Sequence, residues 1–311
     1  MTSARVLNRT MTPVEWLIII LLSVLWGSSF FFIEIALQDL PVFTIIVGRL
    51  LFAALLLLSI LYLYGQRLPK EREIWICLCI MALINNVLPF SLIVWGQTYI
   101  TSGVASILNA TAPLFTVIVA HFMTQDEKLS IARVLAVLIG FLGVVIMIGF
   151  GALKEIGVHI MAQLACLTAA LCYALAGVFG RRFRELNITP LAIATGQTMA
   201  ASLILLPFVF LFDKPWTLPM PSLPSVLAVL SLAVFSTAFA YIFYFRVLQT
   251  AGAVNLLLVT FLIPVSAILL GVLILDEALQ LKHIIGMGLI GVGLIILDGR
   301  LWQSLRKRIS V

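Results

Sequence analysis

Charged residues are scarce in this chain of 311 residues, because Asp, Glu, Lys and Arg together make up only 10% of it. An ordinary soluble domain carries about 25% charged residues. Hydrophobic residues make up 63% of the chain, and the mean hydropathy is +1.20. A water-soluble fold of this size could not bury so much apolar surface. The composition therefore predicts an integral membrane protein whose solvent is the lipid bilayer.

Motifs of soluble chemistry are also missing. The sequence contains neither the phosphate-binding pattern Gly-x-x-x-x-Gly-Lys-Ser/Thr nor the metal pattern His-Glu-x-x-His. Its three histidines, His121, His159 and His283, are far apart. The net charge of +6 is spread over short connections between apolar runs, which does not suit a nucleic-acid surface. We therefore expect no metal, no cofactor, no nucleic-acid partner and no enzymatic activity.

Ten apolar runs are long enough to cross a bilayer, which takes about 20 residues per helix. The predicted fold is all-α, with ten transmembrane helices. The first run continues from Val14 to about Ala36, too long for the core of a cleaved signal, so we expect a retained helix. The predicted spans are 14–36, 42–63, 74–98, 102–123, 131–150, 158–180, 190–212, 224–247, 252–275 and 283–300.

The distribution of Lys and Arg orients these spans. With a cytoplasmic N-terminus, 15 of the 19 basic residues fall in cytoplasmic segments. Lys154, Lys214 and Lys282 fall outside, and Arg49 lies within a span. We therefore predict a multi-pass protein of the inner (plasma) membrane with both termini in the cytoplasm.

The two halves of the chain align at an offset of about 150 residues. Pro113 aligns with Pro264, and Gly48-Arg49 aligns with Gly196-Gln197. Because each half holds five spans, the second copy must cross the membrane in the opposite sense. We predict two inverted five-helix repeats, residues 14–150 and 158–300, followed by a cytoplasmic tail, 301–311. Inverted repeats are a recurring architecture of secondary transporters.

Four sequence motifs are distributed along the chain, two in the first two spans and a proline followed by an acidic pair in each half. They are Trp26-Gly27-Ser28-Ser29-Phe30, Arg49-Leu-Leu-Phe-Ala-Ala, Pro113 with Asp126-Glu127, and Pro264 with Asp276-Glu277. Together they resemble the EamA-type transporters of the drug/metabolite transporter superfamily. The resemblance implies ten helices, two repeats and export or exchange of amino acids, related metabolites or drugs. Where many relatives have lysine, eight residues after the tryptophan, this chain has Glu34, so the role of a cation there does not carry over.

Arg49 is the ionisable residue that most needs an explanation, since a charge within a span costs about 2.5–3.5 kcal/mol on insertion scales. One interpretation pairs it with Glu34 in a gate of an outward-facing vestibule. The other is an ion pair that only fixes the first two helices to each other.

Uncharged polar residues near the middle of several spans form the candidate substrate cavity. Their amides and hydroxyls suit the polar ends of a small molecule, and the aromatic rings offer flat walls. Each could instead make an interhelical hydrogen bond, worth about 0.6 kcal/mol. The candidates are Trp26, Ser28, Asn85, Asn86, Asn109, Tyr173, Ser236, Thr237, Tyr241 and Thr260.

Prolines and glycines within the spans are predicted to shape and pack the helices. Pro89, Pro113 and Pro264 are predicted to kink their helices and to free backbone carbonyls. Gly143 and Gly286, in the last span of each half, are predicted to bring those spans against each other or against a second protomer. Both a monomer and a homodimer remain compatible with the sequence.

The function that these features favour is secondary transport of small organic metabolites by alternating access around a midplane cavity. The alternatives are an intramembrane lipid-modifying enzyme, which would need converging acids or histidines, and a membrane scaffold or sensor.

Overall fold

The computed structural model describes residues 11–125, 130–149, 158–274 and 279–298. Within these ranges the chain is helical, and eight helical stretches are long and apolar enough to cross a membrane. The protein is therefore an all-α, multi-pass membrane protein. The stretches are Pro13–Ala36, Val42–Leu63, Arg72–Gly96, Ser102–Met123, Ile131–Ile148, Ile160–Glu185, Pro190–Asp213 and Leu223–Leu257.

Within the described residues, the first half of the chain contains seven α-helices. The first begins with a capping box, in which Thr12 and Glu15 satisfy each other's backbone N–H groups. The helices are α1 (Pro13–Ala36), α2 (Val42–Leu63), α3 (Arg72–Ala82), α4 (Leu88–Gln97), α5 (Ser102–Asn109), α6 (Ala112–Met123) and α7 (Ile131–Ile148).

In the part of the second half that the structure describes there are also seven α-helices, one of them a single turn. They are α8 (Ile160–Gly180), α9 (Arg182–Glu185), α10 (Pro190–Phe208), α11 (Leu223–Ala233), α12 (Ala240–Leu257), α13 (Val259–Ile274) and α14 (Leu281–Asp298). Helix α12 is interrupted at Gly252, whose φ of 86° is a conformation that favours glycine. This interruption falls where the ninth span was predicted to begin. The predicted Asp126-Glu127, Asp276-Glu277 and the tail 301–311 lie outside the described residues.

The outer faces of the helices carry large apolar side chains. Leu17 on α1 and Leu203 on α10 are each 66% exposed, and Leu63 at the end of α2 is 85% exposed. Side chains of this kind are stable on a surface that faces hydrocarbon, and they agree with the apolar composition.

Glycines bring α7 and α14 into backbone contact. A β-carbon added to Gly143 would lie 2.7 Å from the carbonyl oxygen of Gly286, and one added to Gly293 would lie 2.6 Å from that of Ala136. Only residues without a β-carbon allow helices to come this close. The last spans of the two halves therefore meet each other, one of the two outcomes that the sequence predicted.

Two carboxylates join the halves at the ends of the helices. Asp213 accepts hydrogen bonds from the backbone N–H of Thr44 at 2.6 Å and from its hydroxyl at 2.9 Å. Asp39 accepts from the hydroxyl and the backbone N–H of Ser222 and from the hydroxyl of Ser225. The Ser222 hydroxyl, and next the Ser225 hydroxyl, hold the pKa of Asp39 below its ordinary value.

Candidate functional site

A cavity lies inside the bundle, between helices of both halves. Its wall combines aromatic rings, amides, hydroxyls and one guanidinium with apolar side chains. It is lined by Trp26, Ser29, Phe30 and Ile33 of α1, Arg49 of α2, Asn85, Phe90, Ile93 and Val94 of the third span, Asn109 of α5, Tyr173 of α8, Tyr241, Tyr244 and Leu257 of α12, and Thr260 and Ile263 of α13.

Two short π-helices place polar pairs beside this cavity. Leu83–Val87 joins α3 to α4, and Val234–Phe239 joins α11 to α12, so that they begin 151 positions apart. A π-helix has backbone hydrogen bonds that span five residues, and it occurs frequently at functional sites. The buried pairs that the two segments carry are Asn85 with Asn86 and Ser236 with Thr237.

Arg49 is buried at the wall of the cavity, with 6% of its surface exposed. Its Nε donates to the hydroxyl of Thr237 at 2.6 Å, and its Nη2 donates to the carbonyl of Ser236 at 3.1 Å. The guanidinium carbon stands 4.0 Å from the centre of the Phe90 ring, a cation–π geometry. All three partners are uncharged.

The predicted ion pair between Glu34 and Arg49, both of which the structure describes, is not formed. Glu34 is exposed and lines a different, more open cleft with Gln97 and His159. The reason lies in the helix period. Trp26, Phe30 and Ile33 occupy one face of α1 and line the cavity, whereas Glu34 lies about 80° around the helix from Trp26.

Tyr241 connects the second π-helix region to the first. Its hydroxyl accepts a hydrogen bond from Asn86 Nδ2 at 2.7 Å and donates to the carbonyl of Asn85 at 3.3 Å. That carbonyl precedes Pro89 by four residues, so proline cannot donate to it from its own helix. Tyr241 therefore donates to a carbonyl that Pro89 leaves without its α-helical partner.

A second polar link mirrors that of Arg49. Asn85 Nδ2 donates to Oε1 of Gln197 on α10 at 3.3 Å. Gln197 occupies the position that the sequence repeat aligns with Arg49, and Asn85 stands 151 positions before Ser236. Thus α2 of the first half is linked to the π-helix Val234–Phe239, and α10 of the second half is linked to the π-helix Leu83–Val87.

Three polar atoms of the cavity wall have no hydrogen-bond partner within the described ranges. They are Asn109 Oδ1, the Tyr244 hydroxyl and Ser29 Oγ. Buried polar groups are nearly always satisfied in proteins, because an unsatisfied one costs about 1–3 kcal/mol. The wall therefore has hydrogen-bonding capacity left over for a bound molecule.

Six of the ten predicted cavity residues line the cavity, and four do not. Trp26, Asn85, Asn109, Tyr173, Tyr241 and Thr260 line the cavity. Ser28 instead donates to the carbonyl of Leu25 in its own helix. Asn86, Ser236 and Thr237 lie behind the lining residues. Asn86 donates to the Tyr241 hydroxyl, and Thr237 accepts from Arg49. The carbonyl of Ser236 accepts from the Trp26 indole at 3.0 Å.

The other two predicted kinks need correction. Pro113 lies in the first turn of α6, after a break at Ala110–Thr111 that separates α6 from α5. Pro264 lies within α13, whose break from α12 falls earlier, at Leu258. Pro113 has no N–H to donate to the carbonyl of Asn109 four residues earlier, which suits the break before α6. The break at Leu258 lies six residues before Pro264 and is not explained by the proline.

The sequence predictions missed Tyr244, Ser29 and Phe90. Tyr244 could have been found, because it lies three residues after Tyr241 on the same helical face. Ser29 follows the predicted Ser28 by one residue and points elsewhere. Phe90 sits in an apolar run and offers no contrast with its neighbours. Within the described ranges, no three His, Cys, Asp or Glu side chains come together in a way that could hold a metal ion.

A polytopic helical bundle with a buried polar and aromatic cavity between its halves is an arrangement typical of membrane transporters. The sequence model of the EamA-like transporter family matches the chain twice, over residues 14–149 and 160–297. The protein therefore belongs to the EamA-like transporter family, within the drug/metabolite transporter superfamily.

Similar proteins agree with this assignment. The uncharacterized transporter YoaV of Bacillus subtilis is 26% identical over 281 residues, which cover 89% of this chain and 94% of the relative. The uncharacterized inner membrane transporter YedA of Escherichia coli is 27% identical over 272 residues, 86% of this chain and 85% of YedA. A solved crystal structure shares the fold with a TM-score of 0.75 at 19% identity, covering 93% of this chain and 98% of that one.

Proposed function

We propose that the protein is a secondary transporter that exports or exchanges small organic metabolites, such as amino acids, related compounds or drugs, across the inner membrane. The observation that carries the proposal is the cavity around Arg49, which is enclosed by helices of both halves. Concave sites with mostly apolar walls and a few converging polar groups are typical of small-molecule binding. The name of YedA, an inner membrane transporter, supports the location.

The transporter would work with ten spans arranged as two inverted five-helix repeats, residues 14–150 and 158–300. Three observations support the repeat. The family model matches each half separately, the two π-helices begin 151 positions apart, and the cavity residues Asn109 and Thr260 have the same separation. The odd number of spans in each half would give the repeats opposite orientations.

Alternating access would proceed by relative movement of the halves around the cavity. The links of Arg49 to Thr237 and of Gln197 to Asn85 join elements of different halves. Each could break on one side of the membrane while the other holds. Both termini would lie in the cytoplasm, the protein would act as a monomer or a homodimer, and energy would come from the gradient of substrate or protons.

Reconstitution tests this function. Proteoliposomes containing the purified protein would be preloaded with a mixture of amino acids, sugars and aromatic carboxylates, and the exit of each labelled compound would be followed. We expect flux of at least one compound above that of protein-free liposomes. The absence of protein-dependent flux for every compound would contradict the proposal.

A matched pair of variants locates the pathway. Ser29→Phe places a large ring in the cavity at a hydroxyl that has no partner among the described residues. Ser59→Phe makes the same chemical change on the exposed face of α2. Flux should fall to the protein-free level for Ser29→Phe and stay near wild type for Ser59→Phe. Equal flux in both variants would show that the substrate passes elsewhere.

A further inference from the structure

Resting on the proposed function, we infer that the cavity selects an organic monoanion: one carboxylate on an apolar or aromatic body, without a cationic group. The first reason is the charge of the cavity wall. Among its lining residues, Arg49 is charged, and neither Asp nor Glu is present. A buried charge is expensive unless it has a counter-charge.

The contacts of Arg49 make this point stronger. Its partners inside the protein are a hydroxyl, a backbone carbonyl and an aromatic ring, all neutral. A guanidinium has five N–H donors, and the two bonds to Thr237 and Ser236 use one donor of Nε and one of Nη2. Nη1 therefore keeps both of its donors, and Nη2 keeps one, without a partner among the described residues. Arg binds carboxylates through parallel N–H groups of two neighbouring nitrogens, and Nη1 and Nη2 can supply them.

The other lining residues determine what kind of ligand body fits the cavity. Trp26, Tyr241 and Tyr244 form a cluster of rings, with centroids 5.9 Å apart for Trp26–Tyr244 and for Tyr241–Tyr244. Leu257 and Ile263 add aliphatic surface. An aromatic or aliphatic body would pack on these side chains, while Asn109 Oδ1 and the Tyr244 hydroxyl remain able to bind a neutral polar substituent.

A zwitterion fits this wall less well than a monoanion. An ammonium group that leaves water is compensated best by a carboxylate, and without a counter-charge it retains much of its desolvation cost. The lining residues include neither Asp nor Glu, so only ring faces and neutral oxygens would face the ammonium. The ammonium would also lie near the positive charge of Arg49 in a medium of low dielectric constant, where like charges repel strongly.

The test uses four probes that share a phenylpropyl skeleton: 3-phenylpropanoate, its amide, phenylalanine and 3-phenylpropylamine. The dissociation constant of each for the purified full-length protein would be measured by titration calorimetry. Hydrogen bonds to charged groups are worth about 1.5–3 kcal/mol, so the carboxylate should bind about tenfold to a hundredfold more tightly than the amide. Phenylalanine and the amine should also bind more weakly than the carboxylate.

Variants assign the selectivity to Arg49. Arg49→Gln should bind the carboxylate no better than the amide, and a circular dichroism spectrum and a melting curve like those of wild type would show that the variant is folded. Arg246→Gln removes the same charge from an exposed position and should keep the carboxylate preference. If Arg49→Gln does not fold, the wild-type probe series decides alone.

Three results would overturn the inference: equal or tighter binding of the amide, equal or tighter binding of phenylalanine or the amine, or a carboxylate preference that persists in a folded Arg49→Gln variant. Failure of all four probes to bind would overturn it as well. None of these results removes the proposed transport function, which fails only if proteoliposomes show no protein-dependent flux.

Discussion

Replacement of Gly286 by alanine tests the closest approach between α7 and α14. A β-carbon at this position would lie 2.5 Å from Cβ of Met147 and 2.6 Å from the carbonyl oxygen of Gly143. Carbon atoms in contact prefer a separation of about 3.5–4.0 Å, so the two helices would have to separate by about 1 Å. Overpacking of this kind costs about 1–3 kcal/mol.

The same helix provides the control. A β-carbon on Gly288, two residues further on, meets no atom within 4 Å. Both substitutions gain the same helix propensity, about 0.8–1.0 kcal/mol for alanine over glycine. Comparison of the two variants therefore removes that contribution, and Gly286→Ala should be less stable than Gly288→Ala by about 1–3 kcal/mol.

The free energy of unfolding can be measured in mixed micelles with increasing dodecyl sulfate, with helicity followed by circular dichroism. Wild type, Gly286→Ala and Gly288→Ala would be unfolded under the same conditions. Two variants that agree within about 0.5 kcal/mol, the ordinary range for surface substitutions, would refute close packing of α7 on α14 at Gly286.

Three further substitutions have defined outcomes. Arg49→Ala should reduce flux in proteoliposomes by about tenfold or more, since a charged hydrogen bond to the substrate is lost. The amount of folded protein should change less than the flux. Unchanged flux would show that Arg49 does not take part in transport. Glu34→Lys should leave flux near wild type because Glu34 is exposed and away from Arg49; a complete loss of flux would show that the two residues meet in another state. Asp39→Asn should lower the thermal stability at neutral pH. The difference from wild type should shrink as the pH falls below 3.8, because a lowered pKa of Asp39 in the folded protein stabilises the folded state only while the carboxylate is ionised. Melting curves between neutral pH and pH 3 check this, and a difference that is constant down to pH 3 would contradict it.

The spans could be predicted well because their signal is long and additive. The predicted second span, 42–63, coincides with α2, and the predicted fourth span, 102–123, covers α5 and α6. The break between α5 and α6 could not be predicted to the residue, since Ala110 and Thr111 carry no strong breaking signal of their own. Pro113 contributes to the break because it cannot donate a backbone hydrogen bond to the carbonyl of Asn109.

The cavity was predictable where polarity contrasts with an apolar span. Asn85, Asn109 and Thr260 stand out for that reason, and all three line the cavity. The partner of Arg49 was not predictable by the same logic, because the search for an opposite charge led to Glu34. A neutral hydroxyl and a backbone carbonyl exposed by a π-helix carry no charge signal in the sequence.

The π-helix at Leu83–Val87 means that the count of residues, as well as their identity, determines which side chains face the ligand. Each residue advances an α-helix by about 100°. A deletion of one residue there would restore regular winding, because a π-helix takes one residue more than an α-helix to make about the same turn. The rest of the span, with Phe90 beside Arg49, would keep its direction. Asn85 and Asn86, within the segment, would be turned away from their present partners. In such a shortened chain every lining residue could be retained in the sequence, and the binding specificity would still be lost.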